Sequence, residues 1–251
     1  MNRPPGKVVA DLGGLSASSI CFPKDAAANL AALRTGEVHV WLSFIHSDPV
    51  AEKLFWNTLS AEERQRAEKI QVAADRAGFV LAHALVRAVL SQYHSIAPGA
   101  WQFGHGVQGK PFISAPAGAP PLQFNLSHTN GLAACAVTWN AAVGVDVEHI
   151  KPHSDLLAVA REFFPPAVAQ ELSNLSSEER TVQFYELWTR REAFGKACGV
   201  GLTPTSSVSE IAEGWQFFQL RVSPDHFLAA AIRDEQGSTS VFKLRMVTLV
   251  G

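Results

Sequence analysis

The sequence predicts an α+β protein made of two similar halves, because the same three features occur twice along the chain in the same order. Each half begins with a strand rich in β-branched and aromatic residues, Val38–Ile45 (VHVWLSFI) and later Val143–Ile150 (VGVDVEHI). A serine then opens a helix through a capping box, at Ser60 in LSAEER and at Ser176 in LSSEER. An alanine-rich run follows, LAACAV in the first half and LAAAIR in the second.

In the first half, the capping box pairs Ser60 with Glu63 and predicts a helix to about Val72. A longer helix follows in DRAGFVLAHALVRAVLSQY, where apolar residues form one stripe at helical spacing and Arg76 and Arg87 lie off it. The Pro- and Gly-rich segment GKPFISAPAGAPP is predicted to be a loop, since prolines do not fit the centre of a helix or sheet.

In the second half, ERTVQFYELWTRREAFGKACG predicts a long helix that ends at Gly199, a suitable C-terminal cap. Strands are expected at Trp215–Val222, Phe227–Arg233 and Val241–Leu249, because turn residues separate these apolar runs. The two halves would join near Trp139–Val143.

Composition excludes several classes of protein. The 251 residues carry a formal charge of -2, so no overall positive field points to a nucleic acid partner. The three cysteines are widely spaced and form no C-x-x-C pair, which favours a reducing, cytoplasmic setting. No apolar run reaches the length of a membrane span, and Gly and Pro interrupt the first twenty residues, MNRPPGKVVADLGGLSASSI, which we interpret as a loosely attached leader.

Common catalytic motifs are missing or incomplete in the sequence. The segment GHGVQGK, Gly104–Lys110, has the spacing of a phosphate-binding P-loop. In a P-loop, a Ser or Thr follows the lysine and a helix begins there, whereas this chain has Pro111 at that position. The chain also has no G-x-S-x-G, no H-E-x-x-H and no G-x-G-x-x-G that follows a strand and opens a helix. The sequence therefore gives no support to a serine hydrolase, a zinc protease or a dinucleotide dehydrogenase.

Two carboxylates, Asp146 and Glu148, fall on the same side of the predicted strand GVDVEHI, while Val145 and Val147 face the other way. Adjacent like charges repel unless water, a proton or a cation lies between them. A half-exposed strand with an acidic, solvent-facing side is one interpretation of this pattern, and a cation site is the other.

Glu192 and Lys196 are four residues apart on the long second-half helix and share a face with Trp188. This pair is also compatible with a simple surface ion pair. If the helix packs beside GVDVEHI, however, Glu192 joins the two strand carboxylates, and such all-oxygen sites suit Mg²⁺. Lys196 would then meet a phosphate.

FNLSHT is a predicted strand that ends in Ser127 and His128 just before a turn. At a strand end that faces a cleft, both side chains can hold phosphate oxygens. A hydrogen-bonded structural role for His128 is the alternative.

These segments together resemble one family. GKPFI, LQFNLSHT, GVDVEHI and FYELWTRREAFGKACGVGL occur in the order and approximate spacing of the 4'-phosphopantetheinyl transferases, specifically the two-lobed, monomeric Sfp-type group, and the resemblance extends over about Leu59–Thr205. It implies two α/β lobes related by a pseudo-twofold, with coenzyme A between them. It also implies Mg²⁺-dependent transfer of the phosphopantetheine arm of coenzyme A to a serine of an acyl or peptidyl carrier protein, with release of 3',5'-ADP.

The resemblance also assigns roles to individual residues. Asp146, Glu148 and Glu192 match the magnesium carboxylates, Glu192 is the proposed base, and Asp146, Glu192 and Lys196 form the catalytic set. The residues that match or are candidates for the coenzyme site are Arg66, Lys69, Arg76, Gly109, Lys110, Ser127, His128 and Lys196.

We therefore expect a leader over residues 1–37, an N-terminal lobe over 38–140, a C-terminal lobe over 141–251 and an active site between the lobes. The expected partners are coenzyme A and a carrier protein, with no nucleic acid and no membrane, and the protein is expected to be a monomer. Two alternatives stay open: a non-catalytic module that binds coenzyme A or a nucleotide, and a coenzyme A-dependent acyltransferase with His128 as its base.

Overall fold

The computed structural model describes residues 9–11, 18–21, 32–45, 49–119, 121–152, 155–199, 214–233 and 240–250. The end of the family resemblance at Thr205 and much of the predicted leader lie outside these ranges. The helices, in chain order, are α1 Pro49–Trp56, α2 Ala61–Glu68, α3 Ala73–Leu90, α4 Leu156–Phe163, α5 Pro166–Ser173 and α6 Ser177–Cys198. The strands are β1 Val9–Asp11, β2 Ser18–Cys21, β3 Glu37–Phe44, β4 Gln102–His105, β5 Pro111–Ala115, β6 Leu122–Thr129, β7 Leu132–Trp139, β8 Val143–His149, β9 Trp215–Ser223, β10 His226–Arg233 and β11 Val241–Val250.

The described strands form three sheets. A six-stranded sheet has the order β1-β11-β3-β7-β6, with β2 also paired to β11, and a three-stranded sheet has the order β8-β10-β9. Strands β4 and β5 make a separate hairpin. The last strand, β11, runs parallel to β3, so the C-terminal part of the chain returns to the sheet that begins in the first half. With the six described helices this is an α+β protein, and the predicted α+β class is confirmed, while the pseudo-twofold relation of two lobes stays a prediction.

The two larger sheets pack face to face, and one helix covers each outer face. Alternate residues of β3, such as Val40, meet Val145 of β8 in the core between the sheets. On the outer face of the six-stranded sheet, α3 packs against β6 and β7. On the outer face of the three-stranded sheet, alanines of α6 meet alanines of β10, which brings the helix very close to the strands. The order of layers is therefore α3, sheet, sheet, α6.

Both predicted capping boxes are confirmed, because each serine accepts from the backbone three residues on and each glutamate accepts from the serine N–H. The helix α6 ends, as predicted, at Gly199, which has a φ of 68°. Helix α2 is shorter than expected, since it ends at Glu68 in a tight turn in which Ile70 N–H donates to the Ala67 carbonyl oxygen.

Two local expectations are wrong. Arg87 does not lie off the buried face of α3: it is 1% exposed, because its guanidinium donates to Glu63 Oε2 at 2.6 Å and to the Trp101 carbonyl oxygen at 2.6 Å. The segment predicted as a loop contains the strand β5. Pro111 is the first residue of this strand, and a proline is tolerated there because the hairpin has only two strands.

The division into a leader and two lobes stays a prediction. The leader range contains β1 and β2, whose backbones pair in parallel with β11. None of the described helices is long and apolar enough to cross a membrane.

Candidate active site

The edge strands β6 and β8 of the two larger sheets are joined by side chains. Three polar side chains of β6 accept hydrogen bonds from backbone N–H groups of β8: Asn125 Oδ1 from Val145 at 2.9 Å, Ser127 Oγ from Val147 at 3.2 Å and Thr129 Oγ1 from His149 at 3.2 Å. These three side chains, which we call the polar ladder, face β8 because they alternate with Phe124, Leu126 and His128 along the strand. The polar ladder therefore fixes the position of β8 relative to β6.

Asp146 lies at the middle of this junction and is 3% exposed. Its Oδ1 accepts from Ser127 Oγ at 3.0 Å and from Lys196 Nζ at 2.6 Å. Burial raises the pKa of Asp146, although the charge of Lys196 acts in the opposite direction. The expectation that this side of β8 faces solvent is wrong for Asp146, because β6 and α6 both pack against the strand.

Gly144 allows α6 to approach β8 closely. A Cβ atom at this position would lie against the Ala193 carbonyl oxygen and 2.5 Å from the Ala197 backbone nitrogen. Only glycine accommodates such a short separation between a strand and a helix backbone. The close approach places Glu192 and Lys196, which lie between these two alanines or next to them, beside the carboxylates of β8.

The second and third carboxylates complete a cluster with Asp146. Glu148 Oε1 accepts from Trp188 Nε1 at 3.2 Å, while Glu192 Oε1 is buried without a hydrogen-bond partner. Burial and the nearby charge of Asp146 raise the pKa of Glu148 and the pKa of Glu192 to about 7. The structure thus brings together the three carboxylates and the lysine that the sequence singled out.

Two carboxylate oxygens at this junction are of the type that a hard cation binds. Asp146 Oδ2 and Glu192 Oε1 are both buried and both lack a hydrogen-bond partner. Among the described residues, no group of three or more acidic, histidine or cysteine side chains is placed so that it could hold a metal ion. Mg²⁺ does not require such a group, because it keeps several waters and commonly binds through one or two carboxylates together with substrate phosphates.

A cavity of about 990 Å³ lies on the other side of β6. Its walls come from α2, α3, β6 and the β4–β5 hairpin, and they include Arg66, Phe79, His83, Phe103, His105, Gly109, Leu126 and His128. Burial by these walls, with repulsion from His83 and Lys196, lowers the pKa of His128 to about 4. Because strand residues alternate, Ser127 and His128 face opposite sides of β6, so they do not share one binding surface.

The remaining predicted coenzyme residues are divided between two environments. Arg66 and Gly109 line the cavity, and Gly109 has a φ of 79° in the hairpin turn. Lys110 instead donates from Nζ to the Val143 and Ala197 carbonyl oxygens, at 3.0 and 2.8 Å, and burial lowers its pKa. Arg76 Nε lies 3.9 Å from Glu52 Oε1. Lys69 is an exposed residue at the end of α2, and neither it nor Arg76 lines the cavity.

Sequence reasoning missed a network on the cavity wall. Glu63 accepts from Arg87 at 2.6 Å and lies 3.0 Å from His83 Nδ1. Hydrogen bonding to His83 and the charge of Arg87 overcome the effect of burial and lower the pKa of Glu63 to about 2. A signal was present in the sequence, because Phe79, His83 and Arg87 are spaced four residues apart and therefore share one face of α3.

Comparison with known proteins identifies the family. The model of the 4'-phosphopantetheinyl transferase superfamily matches residues 142–243, and the model of the 4'-phosphopantetheinyl transferase N-terminal region matches residues 49–140. The chain is 32% identical to the 4'-phosphopantetheinyl transferase HetI of Nostoc sp. over 79% of this chain and 88% of that protein. It is 31% identical to the transferase Sfp of Bacillus subtilis, over 62% and 67% of the two chains. It is 30% identical to the transferase AcpT of Salmonella typhimurium, over 64% and 73%.

These matches extend over both parts of the chain that form the site, from α1 to the start of β11. The chain therefore belongs to the 4'-phosphopantetheinyl transferase family and is an Sfp-like enzyme of that family.

Proposed function

We propose that this enzyme transfers the 4'-phosphopantetheine arm of coenzyme A to a serine hydroxyl of an acyl or peptidyl carrier protein, in a Mg²⁺-dependent reaction that releases 3',5'-ADP. The observation that supports this most strongly is the cluster of Asp146, Glu148, Glu192 and Lys196 at the junction of the two sheets, beside a large cavity. Phosphoryl transfer depends mainly on positioning and on neutralising charge. Lys196, together with a cation held by these carboxylates, would supply the positive charge.

In the proposed reaction, the carrier serine Oγ forms a bond to the β-phosphorus of coenzyme A. The bond between that phosphorus and the bridging oxygen breaks, and the electron pair leaves with 3',5'-ADP. The proton of the serine passes to Glu192, directly or through one water, at the carboxylate oxygen that would not hold the metal. One phosphorus–oxygen bond is formed and one is broken, and the serine proton ends on Glu192.

The other side chains hold the reacting groups in place. Lys196 is already anchored to Asp146 and to Ser127 Oγ, at 2.6 and 2.8 Å, so its ammonium group is fixed near the position proposed for the pyrophosphate. Asp146 and Glu192 offer the oxygens that fit the metal, and Glu148 contributes the third carboxylate. When bound, Mg²⁺ would neutralise negative charge on the pyrophosphate.

We also propose that the lobes divide near residues 140 and 141 and that the polar ladder lies on the boundary between them. The coenzyme would then contact both lobes, with its pyrophosphate at the carboxylate cluster. We expect the enzyme to act as a monomer, which light scattering coupled to size-exclusion chromatography would test.

The decisive experiment is intact-mass spectrometry of apo carrier proteins after incubation with the enzyme, coenzyme A and Mg²⁺. Fatty-acid, polyketide and non-ribosomal peptide carriers would be tested in parallel, each with an EDTA control. The expected result is a mass gain of one phosphopantetheine group that EDTA abolishes, together with one equivalent of 3',5'-ADP. Transfer that continues at the same rate in EDTA would overturn the metal assignment.

A further inference from the structure

The side chain of Lys110 joins parts of the chain that are far apart in sequence. Lys110 immediately precedes β5, and its Nζ donates to the Val143 carbonyl oxygen of β8 at 3.0 Å and to the Ala197 carbonyl oxygen of α6 at 2.8 Å. These acceptors lie 33 and 87 residues further along the chain. One amine therefore connects the β4–β5 hairpin to both elements that carry the carboxylate cluster.

Both carbonyl groups need a partner from outside their own element. Ala197 lies in the last turn of α6, where carbonyl groups have no acceptor role within the helix. The polar ladder binds alternate N–H groups of β8 beginning at Val145, so the backbone of Val143 also points away from β10. Val143 and Ala197 are 0% and 3% exposed, so removal of the Lys110 amine would leave two buried acceptors without this partner.

The amine of Lys110 is directed away from the large cavity. Gly109 and Pro111, on either side of it in the sequence, line that cavity, whereas Lys110 does not. Burial lowers the pKa of Lys110, but its two contacts do not depend on its charge, because a neutral amine still has two N–H groups. The resemblance assigned Lys110 to the coenzyme site, and the structure instead shows its amine bound to the protein backbone.

The position of the β4–β5 hairpin depends on contacts of this kind. The hairpin is a separate sheet of only two strands, and an isolated hairpin of two strands is marginally stable at best. Its anchor point on α6, Ala197, directly follows Lys196, the lysine that is bound to Asp146. The contact therefore fixes the hairpin relative to the part of α6 that carries the charged cluster.

We propose that Lys110 is a positioning residue that holds the β4–β5 hairpin of the N-terminal lobe against α6 and β8 of the C-terminal lobe, at the spacing that coenzyme A requires. This inference rests on the proposed function, in which the coenzyme contacts both lobes. Without the Lys110 amine, only a fraction of the molecules has this spacing, and the apparent affinity for coenzyme A falls by that fraction. Bound coenzyme restores the spacing, so the rate at saturation changes less than the KM.

Three variants separate this role from a simple loss of charge. Lys110→Met keeps an unbranched side chain of similar length and removes every donor. Lys110→Arg retains N–H donors that can reach two acceptors. Lys53→Met is the matched control for the loss of one positive charge, because Lys53 is an exposed residue of α1.

The first measurement is hydrogen exchange of the coenzyme-free protein, followed by mass spectrometry. Amides of the hairpin, Gln102–Ala115, should exchange about tenfold faster in Lys110→Met than in the wild type, with Lys53→Met unchanged and Lys110→Arg between the two. Helix α4, which contains neither acceptor, is the internal reference. Wild-type exchange in Lys110→Met would overturn the proposal, because a residue that only contacts bound coenzyme has no effect on the free protein.

The second measurement is the steady-state rate of carrier modification at varied coenzyme A. In Lys110→Met the KM for coenzyme A should rise about tenfold, while kcat falls less than about threefold. A KM within about twofold of the wild-type value, together with faster exchange of the hairpin, would overturn the positioning role, since Lys110 would then only stabilise the hairpin. An equal fall in kcat and kcat/KM would also overturn it, because the lost interaction would then belong to the transition state.

Failure of the proposed function is distinguishable from failure of this inference. If the wild type binds coenzyme A but transfers nothing to any carrier, only the proposed function has failed, and the Kd from calorimetry replaces the KM with the same limits. The exchange measurement requires neither coenzyme nor carrier. If the wild type transfers normally and Lys110→Met matches it in exchange and in KM, only this inference has failed.

Discussion

Substitution of Gly144 by alanine is expected to push α6 away from β8. The new Cβ would lie 2.5 Å from the Ala197 backbone nitrogen, whereas ordinary contacts of a Cβ atom begin at 3.4 Å. The helix must therefore move about 0.9 Å away from β8, and further near the Ala193 carbonyl oxygen, which lies closer to the new Cβ. Both neighbours are backbone atoms, so no side-chain rotation relieves the overlap.

Two measurable effects follow from this displacement. Overpacking of a buried contact typically costs about 1–3 kcal/mol, and this is the expected fall in the free energy of unfolding. A shift of about 1 Å between α6 and β8 also separates Glu192 and Lys196 from Asp146, and a misplacement of that size can reduce the rate about a hundredfold.

The assays are urea denaturation and the initial rate of carrier modification by mass spectrometry. Gly99→Ala is the matched control for stability, because a Cβ on Gly99 would meet no heavy atom within 4 Å. A Gly144→Ala enzyme with the wild-type midpoint of unfolding and the wild-type rate would refute the argument that the close approach of α6 builds the site.

Three further predictions concern the charged groups. Asp146→Asn keeps an acceptor for Lys196 but removes the charge, so the transfer rate should fall about a hundredfold or more while the circular dichroism spectrum is unchanged. In EDTA, the folded protein holds a proton on Glu148 between pH about 4.5 and about 7 that the unfolded chain releases, so stability falls as pH rises through that window. Glu148→Gln should remove this contribution, so the variant should have a free energy of unfolding about 1 kcal/mol higher at pH 8, after allowance for solvent screening. Thermal unfolding measured across this pH range should then show a flatter dependence of stability on pH. An unchanged dependence would contradict the assignment. Glu63→Gln leaves the buried charge of Arg87 without its carboxylate partner, so the free energy of unfolding in urea should fall by about 3–5 kcal/mol. A fall of less than about 1 kcal/mol would contradict this prediction.

The features that the sequence predicted well are those set by local interactions. Both capping boxes involve residues three apart, and the end of α6 at Gly199 depends on a single residue with positive φ. The strands β3 and β8 follow from β-branched and aromatic residues within a few positions of each other. The candidate carboxylates could be named for the same reason, since Asp146 and Glu148 are two residues apart on one strand.

What could not be predicted depends on partners far away in the chain. Arginine usually lies on the surface because its side chain is charged. Arg87 can be buried because Glu63 and two carbonyl oxygens accept its hydrogen bonds. Asp146 is buried because β6 and α6 close over it, and neither element is adjacent to it in sequence. Lys110 likewise donates to two backbone carbonyl oxygens that only tertiary packing brings near it, and a sequence motif cannot reveal such a contact.

The alternation of β6 places consecutive side chains on opposite faces of the strand. Ser127 faces β8 and contacts Lys196 and Asp146, while the next residue, His128, faces the cavity that contains His83. A shift of β6 by one residue would exchange these two faces, placing an imidazole among the carboxylates and a hydroxyl in the cavity. Asn125 and Thr129 prevent this exchange, since each binds a specific N–H group of β8 on either side of Ser127. The polar ladder therefore does more than join the sheets: it determines which side chains of β6 face the carboxylate cluster and which face the cavity.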